Sequence, residues 1–511
     1  MALAGQSSLL MSMGRAAEAG LVAQRMLALA RSLGDRNAEG SALNTLTLHE
    51  PDLAAQLALY RQARAAFEAG GSLQGLAIID ANLGLTCLEL GLYRRSLRIT
   101  RIAAEHQVRT GNKTSLINAV QNLAEGHYRL GDLPALRAEA DRAASLATQL
   151  GVPYWQAAVE QLRGQAAWLE DRPAEAARLY ERAVRRVGRS SDAFAVTFLS
   201  DATRAHLACG QPERALTASQ RATALHRKLN LAMLDGMDPP ALWWWHNRAL
   251  AANGRHAEAS AALTQAWQLL LTRIQTLGDE GLRRSVLNKR ADNRALVLGW
   301  LAHARRHGLP AAEREAHLAG PSNLREPFER LVDTGLRLNE LRKADELAEF
   351  LVDEATELSG AERVLLVFEG ADTGLQVAGS LLPQGEDVAT LLQAITPWLD
   401  EARQTRAVGL RHGPDGAEPI DQRSCLVAPL LAQGEVIGYL YADIGGAFGR
   451  FHDTDRQLLG MLGGVIADSA KLEATLKEGI KALEKKDKNF PKTTFDVAKH
   501  KDINFHVFTT E

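Results

Sequence analysis

The stretch RSCLVAPLLAQGEVIGYLYAD, residues 423–443, sets the class of the C-terminal part of this chain. It holds two apolar, β-forming runs joined by a short turn at 432–434, a pattern that predicts a β-hairpin. Apolar runs at 362–370 and 375–383 predict two more strands, and 386–407 has the apolar spacing of a helix. Strands and helices in this order predict an α+β domain with an antiparallel sheet.

The same segments resemble a GAF domain. After the hairpin, FHDTDRQLLGMLGGVIADSA (451–470) has the pattern that opens the last helix of that family. LAEFLVDEATELSGAERVLLVF (347–368) looks like the first half of the same domain, so the resemblance covers about 325–476. It is closest to the GAF domains of bacterial multidomain signalling proteins. The resemblance implies either a module that senses a small ligand or a ligand-free module that dimerises and relays a signal.

The resemblance also implies where a ligand would lie, between the sheet and the helices and loops that cover it. The loop at 408–422 and the last two strands would then supply most of the candidate ligand-binding residues, and the helix at 386–407 would supply Trp398. These are Trp398, Arg411, His412, Arg423, Cys425, Tyr439 and Tyr441. The signature of cyclic-nucleotide-binding members and the Cys-His pair of bilin-binding members are both absent from the sequence.

Two questions stay open within this candidate set. Tyr439 and Tyr441 are two residues apart and share one strand face, which contacts either a ligand or a packed helix. Cys425 reads as a small buried apolar residue, or as a redox or chromophore-binding residue with Arg423 on the same face.

The N-terminal part repeats with a period of about forty residues. Turn-forming markers begin at 51, 91, 131, 171, 210 and 254, and a second series of glycines falls between them. Each period therefore holds two segments long enough for a helix, and their apolar residues keep helical spacing. Repeated antiparallel helix pairs predict an α-solenoid, in which each unit buries its apolar face against its neighbours.

The repeats resemble the tetratricopeptide family, most closely at DRPAEAARLYERAV (171–184) and GQPERAL (210–216). The period is longer than that family's usual one. The resemblance covers about 10–270 and implies a concave surface that binds protein. Within it, Trp243, Trp244 and Trp245 cannot share one helix face. They predict packing at an end repeat or, alternatively, a protein-interaction site.

Composition excludes several classes of protein. The chain has 511 residues, a formal net charge of −2 and three well-separated cysteines. No basic excess favours nucleic acid, no disulfide framework is expected, and no apolar run is long enough to span a membrane. We therefore predict a cytoplasmic protein that binds neither nucleic acid nor membrane. The glycines at 445–449 lack the residues of a P-loop, and His452, Asp453 and Asp455 are better placed at a helix start than around a metal.

The sequence thus predicts no catalytic residues, no cofactor and no metal. We expect an all-α solenoid at 1–304, a linker at 305–323, a GAF-like domain at 324–476, a coiled-coil extension at 477–486 and a tail at 487–511. From Lys471 onward the chain has nine lysines and no arginine, unlike the part before it, so the tail is either compositionally foreign or disordered.

Three hypotheses of function follow. In the first, the chain is regulatory: the solenoid binds a protein partner, and the GAF-like domain senses a small ligand or forms a homodimer through its flanking helices. In the second, the chain is a pure interaction scaffold with a ligand-free GAF core. In the third, it is the sensor part of a cyclase or histidine kinase whose catalytic domain is missing.

Overall fold

The computed structural model describes residues 6, 16–188, 191–232, 237–320, 331, 344–370, 374–432, 434–464, 466, 492–500 and 503–509. The chain divides into two compact units. The first unit comprises 1–278 and 290–320, and the second comprises 279–289 and 321–511. The sequence-based boundaries differ here, because they placed 279–289 in the solenoid and treated 305–320 as linker.

The described part of the first unit is built of helices joined by short turns. They are α1 (Ala16–Leu33), α2 (Arg36–Thr47), α3 (Leu53–Ala69), α4 (Leu73–Glu89), α5 (Tyr93–Thr110), α6 (Lys113–Leu130), α7 (Leu133–Leu150), α8 (Pro153–Leu169), α9 (Pro173–Val187), α10 (Asp192–Ala208), α11 (Pro212–Lys228), α12 (Pro239–Ala252) and α13 (His256–Gln275). After 290 the unit resumes with α15 (Ala291–Arg306), the short α16 (Ala311–Arg314) and a 3₁₀ turn at Ala316–Leu318.

The glycine series marks the helix ends, as the sequence predicts. Gly111 and Gly131 follow α5 and α6 with φ of 71° and 73°, a left-handed conformation that favours glycine. The next residues then cap the following helices: the Asn112 side chain accepts from Ser115 N–H, and the Asp132 side chain accepts from Ala135 N–H. Turn chemistry therefore sets the forty-residue period.

Each helix packs against its sequence neighbours, and alternate helices also touch: α4 with α6, α6 with α8, and α10 with α12. Small residues permit this close approach. A Cβ on Gly164 of α8 would lie 2.5 Å from the Tyr180 ring of α9, and Tyr180 is fully buried. This arrangement confirms the predicted all-α solenoid.

The second unit contains α14 (Glu280–Lys289), α17 (Ala344–Ser359) and a sheet of five strands. The strands are β1 (Arg363–Gly370), β2 (Gly374–Leu381), β3 (Gly409–Gly413), β4 (Arg423–Ala432) and β5 (Glu435–Gly445), with α18 (Val388–Thr405) between β2 and β3. Their order is β2-β1-β5-β4-β3, and every neighbouring pair is antiparallel. The predicted hairpin is β4–β5, and a helix, α19, follows at 453–464. The predicted α+β class is thus confirmed.

The two faces of the sheet carry different helices. Strand β1 contacts α17. Leu365, Val367 and Val427 are directed to the opposite face, where they form a core with Ile395 and Leu399 of α18. Because successive side chains of a strand point to opposite faces, one face of β1 packs against α17 and the other faces α18.

The described residues of the tail form secondary structure, whereas one of the two alternatives for the tail was disorder. Residues Lys492–His500 (β6) and Ile503–Thr509 (β7) pair as an antiparallel hairpin. The predicted coiled-coil extension at 477–486 lies outside the described residues.

Candidate functional site

A cavity of about 830 Å³ opens between the sheet and α18 in the second unit. Strands β4 and β5 form its floor, α18 one wall, and β3 with the loop after it the rim. It is lined by Arg363, Glu386, Asp387, Thr390, Leu391, Ala394, Ile395, Trp398, Arg411, His412, Gly413, Pro414, Asp415, Arg423, Cys425 and Tyr441. Its volume falls in the range typical of small-molecule sites.

The structure brings most of the sequence-predicted residues together here. Trp398, Arg411, His412, Arg423, Cys425 and Tyr441 all line the cavity. Tyr439 does not, although it shares a strand face with Tyr441. It is fully buried towards the other end of β5, where its hydroxyl contacts Glu369 and lies 3.1 Å from Arg403 Nε. Of the two tyrosines, Tyr439 therefore packs and Tyr441 faces the cavity.

Asp443 organises the floor of the cavity and was missed by the sequence analysis. It is fully buried and accepts from Arg363 Nε at 2.8 Å, from Arg423 Nη1 at 2.6 Å and from the Tyr441 hydroxyl. Arg423 Nη1 also lies 3.0 Å from Glu362 Oε2. Two arginines thus face the cavity with their charges balanced from beneath by two buried carboxylates.

Trp398 provides the main aromatic surface of the cavity. Its ring lies nearly parallel to that of Tyr441, with centroids 6.4 Å apart at 25°. The guanidinium carbon of Arg411 lies 5.1 Å from the Trp398 ring centroid, within cation–π distance. Arg411 is held there by Glu401, whose Oε2 lies 2.6 Å from Arg411 Nη2. The cavity can therefore offer both a planar apolar surface and charged groups.

Three titratable groups that line the cavity, Cys425, Tyr441 and His412, are held in their neutral forms. Burial, with the adjacent charge of Asp443, raises the pKa of the Cys425 thiol to about 11. The same two causes raise the pKa of Tyr441, which stays protonated and donates to Asp443. Burial lowers the pKa of His412, whose Nδ1 lies 2.8 Å from Ser424 Oγ. Cys425 is thus a buried neutral thiol, unlike the thiolates of reactive cysteines.

A second cavity, of about 330 Å³, lies in the first unit along α4, α6, α8, α10 and α12. Two glutamines of α8 bridge neighbouring repeats there. Gln165 Nε2 donates to Glu125 at 2.6 Å, and Gln161 Nε2 donates to Asp201 at 2.8 Å, each across forty residues. Because the period places equivalent positions side by side, this groove is lined by amide and charged groups from successive repeats.

The three adjacent tryptophans separate as their spacing requires. Trp243 is buried and donates to His226 Nδ1 at 3.0 Å, and Trp244 is buried close to Gly299. Trp245 is half-buried, lines the groove, and donates to Asp292 at 3.1 Å. Two of the predicted interaction residues therefore pack inside the unit, and Trp245 is available to a groove ligand.

Among the described residues, no group of three or more His, Cys, Asp or Glu is placed to hold a metal ion. Within those same residues, no helix is long and apolar enough to cross a membrane.

Residues 343–469 match the GAF domain family. Similar solved structures include the GAF domain of a putative sensor histidine kinase from Pseudomonas syringae pv. tomato, at 18% identity and a TM-score of 0.23, covering 32% of this chain and 93% of that one. BtubC (BKLC) from P. vanneervenii is 17% identical with a TM-score of 0.35, covering 43% of this chain and 94% of that one. NprR in complex with its cognate peptide NprX is 12% identical with a TM-score of 0.37, covering 61% and 87%. No curated protein matches the chain.

The family match assigns the second unit's cavity to a GAF domain. It begins one residue before α17 and ends after α19, so it contains the whole five-stranded sheet and the cavity over it. A GAF domain is a sensory module, which supports a regulatory role in signalling for this chain.

Proposed function

We propose that this chain is a non-catalytic signal-transduction protein whose GAF domain senses a small ligand and whose solenoid binds a segment of a partner protein. The observation that carries the proposal is the cavity over β4 and β5, about 830 Å³ in volume and bordered by Trp398, Arg423 and Tyr441. A regulatory change would follow if the ligand binds one arrangement of the covering helix more tightly than another.

The lining favours a ligand with a planar or apolar body and polar substituents. Trp398, Leu391 and Ile395 supply apolar surface, while Asp387 and Asp415 place carboxylates at the rim. Arg363 and Arg423 are already paired with Asp443, so an anionic substituent would have to share them. A ligand carrying both hydrogen-bond donors and acceptors therefore fits better than a simple anion.

Native mass spectrometry of the purified full chain tests ligand sensing. We expect a co-purifying small molecule in the wild type that is lost from Trp398→Ala and Tyr441→Phe. Tyr439→Phe is the matched control, because it removes a hydroxyl from the same strand face outside the cavity. Apo protein in every case, with no thermal shift from a panel of nucleotides, amino acids and organic acids, would contradict sensing.

The groove supports the protein-binding part of the proposal. Amide side chains on α6 and α8 and the half-buried Trp245 present donors, acceptors and apolar surface to an extended chain. Fluorescence polarisation with a pool of labelled unstructured peptides tests this. Gln161→Ala combined with Trp245→Ala should weaken binding about tenfold or more. Gln156→Ala, on α8 but outside the groove, should not weaken it.

A ligand-free scaffold is the second candidate function. Its supporting observation is that Asp443 and Glu362 already balance both floor arginines, so an apo GAF core is electrostatically satisfied. A clean apo homodimer by light scattering and native mass spectrometry would favour this function over sensing. The third candidate, a sensor part of a cyclase or kinase, is tested by reading the gene beyond codon 486.

A further inference from the structure

Helix α14 belongs to the second unit, although the chain segments on both sides of it belong to the first. It packs against α17 of the GAF domain. The contact is made by backbone: a Cβ on Gly281 would lie 2.3 Å from the Leu358 carbonyl oxygen, so glycine is required at this position. The family match starts at residue 343, so this helix is an addition from outside the matched domain.

Arg284 fixes α14 to two places in the GAF unit. Its side chain is almost fully buried. Nη1 donates to Asp455 at 2.7 Å and to the Ser359 carbonyl at 3.1 Å, and Nη2 donates to the Arg450 carbonyl at 2.5 Å. Its guanidinium carbon also lies 5.3 Å from the Phe451 ring centroid. The end of α17 and the start of α19 are therefore both bonded to one residue of α14.

A second set of contacts leads from α14 towards the ligand cavity. Lys289 Nζ donates to the carbonyl of Glu362 at 2.9 Å. The carboxylate of the same Glu362 lies 3.0 Å from Arg423, which borders the cavity. Glu362 N–H also donates to the Asp443 carbonyl at 2.7 Å. One residue, Glu362, thus joins the last residue of α14 to the cavity floor.

The chain on either side of α14 is held within the first unit. Gly278 N–H donates to Asp52 at 3.0 Å. Arg290 bonds the Asp238 carboxylate, and its Nη1 donates to the Glu89 carbonyl at 3.2 Å. Gly278 and Arg290 directly flank the segment 279–289, so the main chain between these two anchored residues and α14 is very short.

We propose that α14 is the transmission element of this protein, carrying the state of the GAF cavity to the solenoid through Arg423, Glu362 and Lys289. The proposal presupposes the ligand cavity of the proposed function. A ligand that engages the Arg423 guanidinium competes with Glu362 for it, and Glu362 carries that change to α14 through its main chain. Since the solenoid chain is covalently continuous with both ends of α14, a shift of this helix strains the anchors at Gly278 and Arg290.

Hydrogen exchange of the full chain, followed by mass spectrometry, tests this without knowing the ligand. Arg423→Met should speed amide exchange in 291–296, the first turns of α15, by about fivefold or more, the range of ordinary coupling between sites. Because coupling is reciprocal, Lys289→Met should speed exchange at 423–426 by a similar factor.

Arg403→Met is the matched control. It removes an arginine that pairs with Glu369 in the same unit and does not line the cavity. The proposal is overturned if Arg423→Met speeds amide exchange at 291–296 no more than Arg403→Met does. It is also overturned if Arg423→Met speeds exchange at 113–130 of the solenoid by the same factor. Arg423→Gln repeats the test if the Met variant does not fold. A bound ligand without this coupling would refute the transmission role alone, and coupling without any ligand would refute sensing alone.

Discussion

Arg423 and Asp443 lie diagonally across the β4–β5 ladder, with Arg423 Nη1 2.6 Å from Asp443 Oδ1 beneath the GAF cavity. Cys425 is the direct cross-strand partner of Asp443, and Arg423 lies two residues before Cys425 on the same strand face. The Arg423–Asp443 ion pair is therefore a diagonal pair. Arg363 approaches the same carboxylate from the other side, on β1. The cavity floor is therefore an arginine–carboxylate–arginine arrangement built from three neighbouring strands.

Asp443→Asn should destabilise the second unit. The change leaves two arginines without their shared buried carboxylate, and we expect a loss of about 2–3 kcal/mol after allowing for partial exposure of Arg423. Urea unfolding followed by circular dichroism measures it. Asp453→Asn is the control, because that carboxylate is 78% exposed and pairs with Arg456 at the surface. Equal effects of the two changes would contradict the role given to Asp443.

Gly281→Ala should loosen α14 from α17. The added Cβ would meet the Leu358 carbonyl at 2.3 Å, and backbone cannot rotate away as a side chain can. Overpacking of this kind costs about 1–3 kcal/mol, visible as a lower thermal midpoint. Gly464→Ala is the control in α19, where an added Cβ meets nothing within 4 Å. The prediction is wrong if Gly281→Ala is as stable as Gly464→Ala.

Acid should destabilise the first unit through His246. Burial, with the charges of Arg227 and Arg255, lowers the pKa of His246 to about 4. The neutral ring is favoured in the folded state, so its stabilising contribution is complete above the ordinary histidine pKa. That contribution declines as pH falls from about 6.5 towards 4, by at most about 3 kcal/mol. His246→Gln should flatten this part of the stability profile, measured by urea unfolding at several pH values. The prediction is wrong if the free energy of unfolding of His246→Gln falls between pH 6.5 and pH 4 as steeply as that of the wild type.

The three cysteines should differ in reactivity. Cys87 and Cys425 are buried, whereas Cys209 is half-buried. At pH 8, Ellman's reagent should therefore modify Cys209 first and leave Cys425 unmodified until the protein unfolds, because its thiol has a pKa of about 11. Cys209→Ser should abolish the fast phase. Rapid modification of Cys425 in folded protein would revive a redox role for it.

Strand periodicity predicts that Tyr439 and Tyr441 share a face of β5, but not which of the two lines the cavity. It placed Tyr439 and Tyr441 on one face correctly, but it says nothing about position along the strand. Tyr439 lies where Arg403 and Glu369 close the space beneath α18. Asp443 was overlooked because its partner Arg363 is 80 residues away, and single-sequence patterns do not reveal such pairings.

The assignment of α14 failed for a related reason. Its sequence has the same helical spacing as the solenoid helices before and after it, so periodicity groups all of them together. What separates α14 is its partners, Leu358 and Asp455, which lie far along the chain. Tertiary contacts, not local pattern, decide which unit a helix joins.

The burial of Arg284 also bears on how such a protein could evolve. A recombination event that exchanged residues 343–469 for another sensor would remove Asp455 and leave the buried Arg284 guanidinium with Glu280 as its carboxylate partner. The reverse event, replacing the solenoid, would take α14 away and leave the Asp455 carboxylate without its arginine. Exchanging either part alone would therefore lose the buried Arg284–Asp455 ion pair, and this loss favours keeping the sensor and the preceding repeats together.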